Sequence, residues 1–403
     1  MSQKSTMGIN KTLLIMAMVG GAAVANLYYN QPLLAIIAES FHAPTQQVGL
    51  IPMMTQIGYA LGLLLFVPLG DIIERRRLIV TMLIATAIAL LTAAISPNIS
   101  WLIVASLLIG MTTIIPQLVV PFAAFLVEPG KRGKAVGTVM SGLFIGIVLA
   151  RMTSGFVGAN FGWRAIYFFA SGLMMLIAVV STFVLPKAKP SVTLSYPKLI
   201  FSLGQIIREQ LLLRQVALIG AMSFAANSIF WSTMAFFLKA PPLNYSSKVA
   251  GMFGLLGVVG AITAVIAGRM ADRKNPRLIS MLGVVISSSS FLVFSLARYE
   301  LWGLILGVML LDLGVQTTQI SNQAQIYSLP AKIHSRLNTV YMVSYFVGGS
   351  MGSYFGNYAW SNWQWNGVCG VALFVLVSAL SILYFTIFWK KPKQQLLSAR
   401  STR

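Results

Sequence analysis

Apolar runs of about 20 residues recur along the whole chain, separated by short polar or Pro/Gly-marked links. As helices, runs of that length match the thickness of a bilayer's hydrocarbon core. They predict twelve spans, over 12–38, 47–69, 78–97, 101–127, 134–159, 164–185, 214–238, 247–271, 277–297, 301–328, 337–359 and 366–389. The one long connection, about 186–213, opens Pro186-Lys-Ala-Lys-Pro190. It divides the chain into a first six-helix bundle (1–188), a linker (189–213) and a second six-helix bundle (214–403). The amphipathic stretch around Leu199–Leu213 is expected to lie on the membrane surface.

The pattern is written twice. Asp71 and Arg76, in Asp71-Ile-Ile-Glu-Arg75-Arg76-Arg77, are matched 201 residues later by Asp272 and Arg277, in Asp272-Arg273-Lys274-Asn-Pro-Arg277. Gly146 and Trp163 are matched by Gly348 and Trp365 at the same internal spacing. A duplicated membrane bundle reads as a transporter with its site between the halves. Small residues fall at every fourth position in three spans: Gly142, Gly146, Ala150, Ser154 and Gly158; Ser344, Gly348, Gly352 and Gly356; Gly260, Ala264 and Gly268. Such stripes let helix backbones approach closely. They are either packing seams or the surfaces on which the halves slide.

Composition agrees with the pattern: 57% hydrophobic, 9% charged, mean hydropathy +0.81. The net charge of +21 is topology rather than a polyanion site, because 24 of the 29 Lys and Arg fall on one side of the predicted spans. That bias places both termini in the cytoplasm. Lys11, the apolar run behind it and Ala23-Val24-Ala25 resemble a signal peptide, but the eleven later spans call for an uncleaved first helix. One cysteine, Cys369, leaves no disulfide framework or cysteine-built metal site. No nucleophile–base constellation stands out, and no Gly-x-x-x-x-Gly-Lys-Ser/Thr sequence is present. An ATP-driven pump, a membrane enzyme and a sensor are all disfavoured.

The motifs resemble the major facilitator superfamily, and within it the twelve-helix proton-coupled exporters of the drug and sugar efflux type. That superfamily's loop signature is roughly Gly-x-x-x-Asp-Arg-x-Gly-Arg-Arg. The second copy matches it at Gly268, Asp272 and Arg273, with Asn275 in the glycine place; the first keeps Asp71, Arg75 and Arg76, with Val67 in the glycine place. Gly142-x-x-x-Gly146, with Gly155 beyond, is similar to the antiporter motif, departing from it at Ile147-Val-Leu-Ala-Arg151. The resemblance implies two pseudo-symmetric bundles around a central cavity lined by spans one, four, seven and ten. Asp71 with Arg75–Arg77, and Asp272 with Arg273 and Arg277, form gating latches on this reading; topology enforcement is the plainer alternative.

Seven of the eight acidic residues lie in links or at span ends; Asp312 lies mid-span. A carboxylate at that depth is costly unless paired, hydrated or protonated, which makes Asp312 the proton-coupling candidate. Asp312, Gln316, Gln319 and Gln323 share one helix face, which lines either a cavity or an interhelical hydrogen-bonded seam. Further substrate-binding candidates are Asn26, Tyr29 and Asn30 in span one, Thr113 and Gln117 in span four, and Ser223, Asn227 and Trp231 in span seven. Amides and aromatic rings suit neutral or amphipathic solutes. Arg151, the second intramembrane charge, either gates, stabilises helix ends, attracts an anion or pairs with Asp312. The expected protein is a bacterial inner-membrane secondary transporter, monomeric, exporting a small solute against protons. It needs no cofactor beyond the proton gradient and binds lipid rather than nucleic acid. Uptake by symport or facilitated diffusion is the alternative.

Overall fold

The computed structural model describes residues 3–188, 196–258, 275–330 and 333–389, and among them every regular element is a helix. The second to seventh spans are Thr45–Gly70, Arg75–Ala94, Ile99–Phe125, Arg132–Phe161, Trp163–Val184 and Leu211–Lys239; the ninth and tenth are Pro276–Leu296 and Leu301–Tyr327. The eleventh and twelfth run together as His334–Tyr384, broken at Gln364. The first is Gln3–Ala25 followed by Gln31–Phe41, and the eighth begins at Ser247 and leaves the described residues after 258. The outer wall is apolar and exposed, with Leu296, Phe183 and Phe374 among its side chains. In water such a surface would be a liability; against lipid tails it is the expected finish. The linker holds an amphipathic helix, Tyr196–Glu209, whose Leu203 and Ile206 are buried while Phe201 is exposed.

The duplication is visible in the contacts. In the first half a Cβ on Gly142 or Gly146 would collide with the carbonyl oxygen of Ala17 or Gly21; in the second, one on Gly348 or Gly352 would collide with that of Ala221 or Ala225. Spans one and five, and seven and eleven, therefore meet backbone to backbone within their own halves. The stripes are packing seams. The contact between the halves is carried by other residues: Gly155 meets Ser247 and Gly251, and Gly349 meets Gln56. Gly260, Ala264 and Gly268 lie outside the described residues. The loop repeat recurs as a helix cap: Glu74 accepts from the Arg76 amide at 3.2 Å, and Asn275, 201 positions on, accepts from the Arg277 amide at 3.0 Å.

Three spans are interrupted between their ends. Span one is unwound from Asn26 to Leu33, where Pro32 has no amide hydrogen to donate. Span four breaks at Thr113–Ile114, just before Pro116, and span eight tightens to a 3-10 turn over Phe253–Leu256. Interrupted helices inside a membrane are tolerated where they face protein or a hydrated cavity.

Each half turns from its fifth into its sixth span through one left-handed residue set just before the repeated tryptophan: Gly162 (φ 80°) before Trp163, and Gln364 (φ 52°) before Trp365. A side chain there costs about 1–3 kcal/mol. Gly162→Ala should therefore lower the melting temperature of the detergent-solubilised protein by several degrees, while Gln364→Gly leaves it unchanged or raises it. Equal losses in both would show that these corners are not strained alike.

Candidate functional site

A cavity of about 700 Å³ lies between the halves. Its mouth is set by Gly70, Arg75, Gln323, Tyr327, His334 and Asn338, at the end of the bundle where the basic loops lie. Its inner end is set by Arg151, Gly257 and Asp312. Asp312, Gln316, Gln319 and Gln323 all line it, so the polar face of span ten forms one wall. Eleven helical steps from Asp312 to Gln323 give that wall a height of about 16 Å.

The opposite end of the bundle is closed by contacts between the halves. Thr45 Oγ1 and Ser361 Oγ are 2.9 Å apart, and Lys239 is paired with Glu39. Ser247 donates to the Gly155 carbonyl at 3.3 Å. Deeper in, Gln56 Nε2 donates to Ser353 Oγ at 3.0 Å and Gln56 Oε1 accepts from Ser228 Oγ at 3.3 Å. The exposed Lys–Glu pair contributes little by itself. The buried Gln56 network is the stronger tie, because breaking it would leave polar groups unanswered.

Arg151 is 4% exposed and reaches across the interface from span five. Its Nε donates to Gln31 Oε1 at 2.8 Å, and its guanidinium lies 3.6 Å from the Trp231 ring centroid and 5.1 Å from that of Tyr28. A desolvated cation over an indole face gains roughly 2 kcal/mol. Unwinding of span one is what turns Tyr28 and Gln31 toward this group. Asp312 comes from span ten, with Asn227 beside it, and its Oδ2 is buried without a hydrogen-bond partner among the described residues. The two charges share a site without touching. Among the described residues the ion pairs are Lys131–Glu128 and Lys239–Glu39, and none joins Arg151 to Asp312.

Gln117, Asn227 and Arg75 also line the cavity, as does Tyr28 rather than its neighbour Tyr29. The remaining candidates are buried behind the wall. Asn26 donates to Met174 Sδ at 3.3 Å, and Asn30 to Thr55 Oγ1 at 3.1 Å. Tyr29, Thr113 and Ser223 are buried between helices, and Trp231 acts as the platform under Arg151. Two signals for these placements were present: Gln31 next to the kinking Pro32, and Gly257 in the eighth span, where a side chain would fill the inner end. At the mouth, Arg76 donates to the carbonyls of Thr182 and Leu185, closing the end of span six, and Arg75 lies 5.0 Å from the Phe125 ring. Both contacts stay within the first half. The Asp71 side chain, Asp272 and Arg273 lie outside what is described. For Arg277 the contact shown is the cap at its amide.

The Major Facilitator Superfamily model matches residues 13–353. The chain is 40% identical over 378 residues to the Uncharacterized transporter YgaY of Escherichia coli O157:H7, spanning 94% of this chain and 95% of that one. It is 30% identical over 359 residues to the Probable transporter SCO4007 of Streptomyces coelicolor, 89% and 83% of the two chains. Among solved structures it resembles a bacterial homolog of the human lysosomal transporter Spinster, in an inward-facing and occupied conformation. There the TM-score is 0.75 at 14% identity, covering 93% of this chain and 96% of that one.

With Cys369 changed to Ser, Gln323→Cys and Ser335→Cys at the mouth should react with a membrane-impermeant maleimide from the side of the basic loops. Asn30→Cys, behind the wall, should stay unreacted from either side. Labelling of position 323 from the opposite face alone would reverse the orientation of the cavity.

Proposed function

The chain belongs to the major facilitator superfamily and is a membrane transporter, and we propose that it exports a small neutral or amphipathic organic solute in exchange for protons by alternating access. The observation that carries this reading is Asp312, a buried carboxylate with an unpartnered oxygen in the wall of a cavity between two halves. A group so placed can hold a proton or meet a solute, and a cavity closed at one end by contacts between halves can reopen there when they rock. The bias of basic residues supports cytoplasmic termini in a bacterial inner membrane, with the cavity open to the cytoplasm. The amide-rich wall of span ten and the apolar walls facing it suit a solute held by hydrogen bonds and burial. One chain supplies the cavity walls, which supports a monomeric unit.

Uptake by symport and facilitated diffusion are the competing readings, the latter favoured by the nearness of Arg151, a charge that could hold Asp312 permanently ionised. Acid-loaded proteoliposomes separate the three. Candidate sugars, nucleosides, amphenicols and amino acids are added outside while lumenal pH is followed. Exchange raises lumenal pH as the solute enters, and the rise is lost in Asp312→Asn. A fall in lumenal pH would mean symport; solute entry with no pH change, unaffected by Asp312→Asn, would mean a facilitator.

A further inference from the structure

Arg151 and Asp312 hold opposite charges in one cavity, on opposite halves, yet stand apart. We propose that the gap between them is a clamp for a zwitterion: a small amphipathic solute whose carboxylate meets Arg151 and whose ammonium meets Asp312. The inference deepens the transport reading above and concerns the same cavity.

The gap is defined by Gly257. A Cβ placed there would sit 3.6 Å from Asp312 Oδ2 and 3.9 Å from Arg151 Nη1, so the two atoms are at most about 7.5 Å apart. They also lie beyond the 4.0 Å reach of an ion pair. Two free opposite charges in a low-dielectric site would close to about 2.8 Å. What holds Arg151 back is its own anchoring. Gln31 takes Nε, and the Trp231 face takes the plane of the guanidinium. Among the described residues the terminal nitrogens have no hydrogen-bond partner, and their edge is left for a bidentate carboxylate.

Charge balance then selects the solute. A dianion is repelled by Asp312 and a dication by Arg151. A singly charged solute answers one buried group and leaves the other without a counter-charge, which is costly at this depth. A zwitterion answers both while remaining neutral overall. Val24, Leu27, Phe144, Val148 and Phe224 line the surrounding cavity and would take an apolar substituent. Proton exchange also follows without further machinery. The ammonium binds the ionised carboxylate, so a proton on Asp312 must leave before the solute binds and returns after it goes. No covalent bond changes.

The test uses the full chain in detergent at neutral pH, with binding read by calorimetry and by thermal stabilisation. The probes are L-leucine, L-phenylalanine and their homodipeptides, each with its C-terminal amide (no carboxylate) and its N-acetyl form (no ammonium). At least one zwitterion should bind about tenfold or more tighter than both of its blocked forms, a difference of about 1.4 kcal/mol. In Asp312→Asn the N-acetyl acid should bind as well as the parent, and in Arg151→Gln the amide should. Gly257→Ala serves as the folded control. Its methyl fits at ordinary contact distance, so the unliganded protein keeps its melting temperature while zwitterion affinity falls about tenfold. Absence of binding by every zwitterion, or equal binding by the blocked forms, overturns the proposal. Binding needs no proton gradient, so the two readings fail separately. Solute-driven proton exchange without zwitterion binding overturns only the clamp, whereas zwitterion binding without proton movement overturns only the exchange.

Discussion

A guanidinium in the middle of a bilayer has to be answered by the protein around it, and the architecture near Arg151 follows from that requirement. An unanswered charge at that depth costs several kcal/mol or more. Span one gives up regular helix to bring Gln31 and Tyr28 to the group, and span seven supplies the Trp231 face. Span eight contributes Gly254, where even a Cβ would crowd the Arg151 side chain, and Gly257, which leaves its tip open. One buried cation thus draws together spans from both halves at the inner end of the cavity. Asp312 makes the same demand with the opposite sign and is left unpaired.

The two ends of the bundle divide the remaining work. At the closed end, small side chains and hydroxyls let spans two and eleven, and five and eight, meet across the interface, with Gln56 shared by Ser228 and Ser353. At the open end Arg76 and Arg75 are occupied within their own half, by the carbonyls ending span six and the rings of span four respectively. Within each half, glycine seams let the backbones of two spans touch. In the alternating access proposed above, a transition would exchange contacts across the interface and leave those inside each bundle in place.

Much of this was legible in the sequence. Hydrophobic run length gave the spans, and the internal repeat reappears as paired helix caps at Glu74 and Asn275 and paired corners before Trp163 and Trp365. The polar face of span ten was readable because a regular helix converts spacing directly into direction. Where helices break, that conversion fails. Around Pro32 the spacing pointed to Asn26 and Asn30, with Tyr29 beside them, but the unwound backbone turns Tyr28 to the cavity and Gln31 to Arg151, and folds the others behind the wall. Trp231 shows a second limit: spacing put it on a polar face, and only its neighbour across the interface makes it a platform for a cation. Arg151 was visible as an intramembrane charge, but its partners come from two other spans and no local pattern names them.

By the proposed mechanism, solute passes only if the two halves separate at the closed end. Thr45 Oγ1 and Ser361 Oγ lie 2.9 Å apart across that seam, close enough for cysteines at both positions to form a disulfide. Once a transported solute is in hand, the measurement is its flux through the Cys369→Ser protein carrying Thr45→Cys and Ser361→Cys, before oxidation, after it and after reduction. On that mechanism, oxidation stops flux and reduction restores it. Undiminished flux through fully cross-linked protein would contradict it.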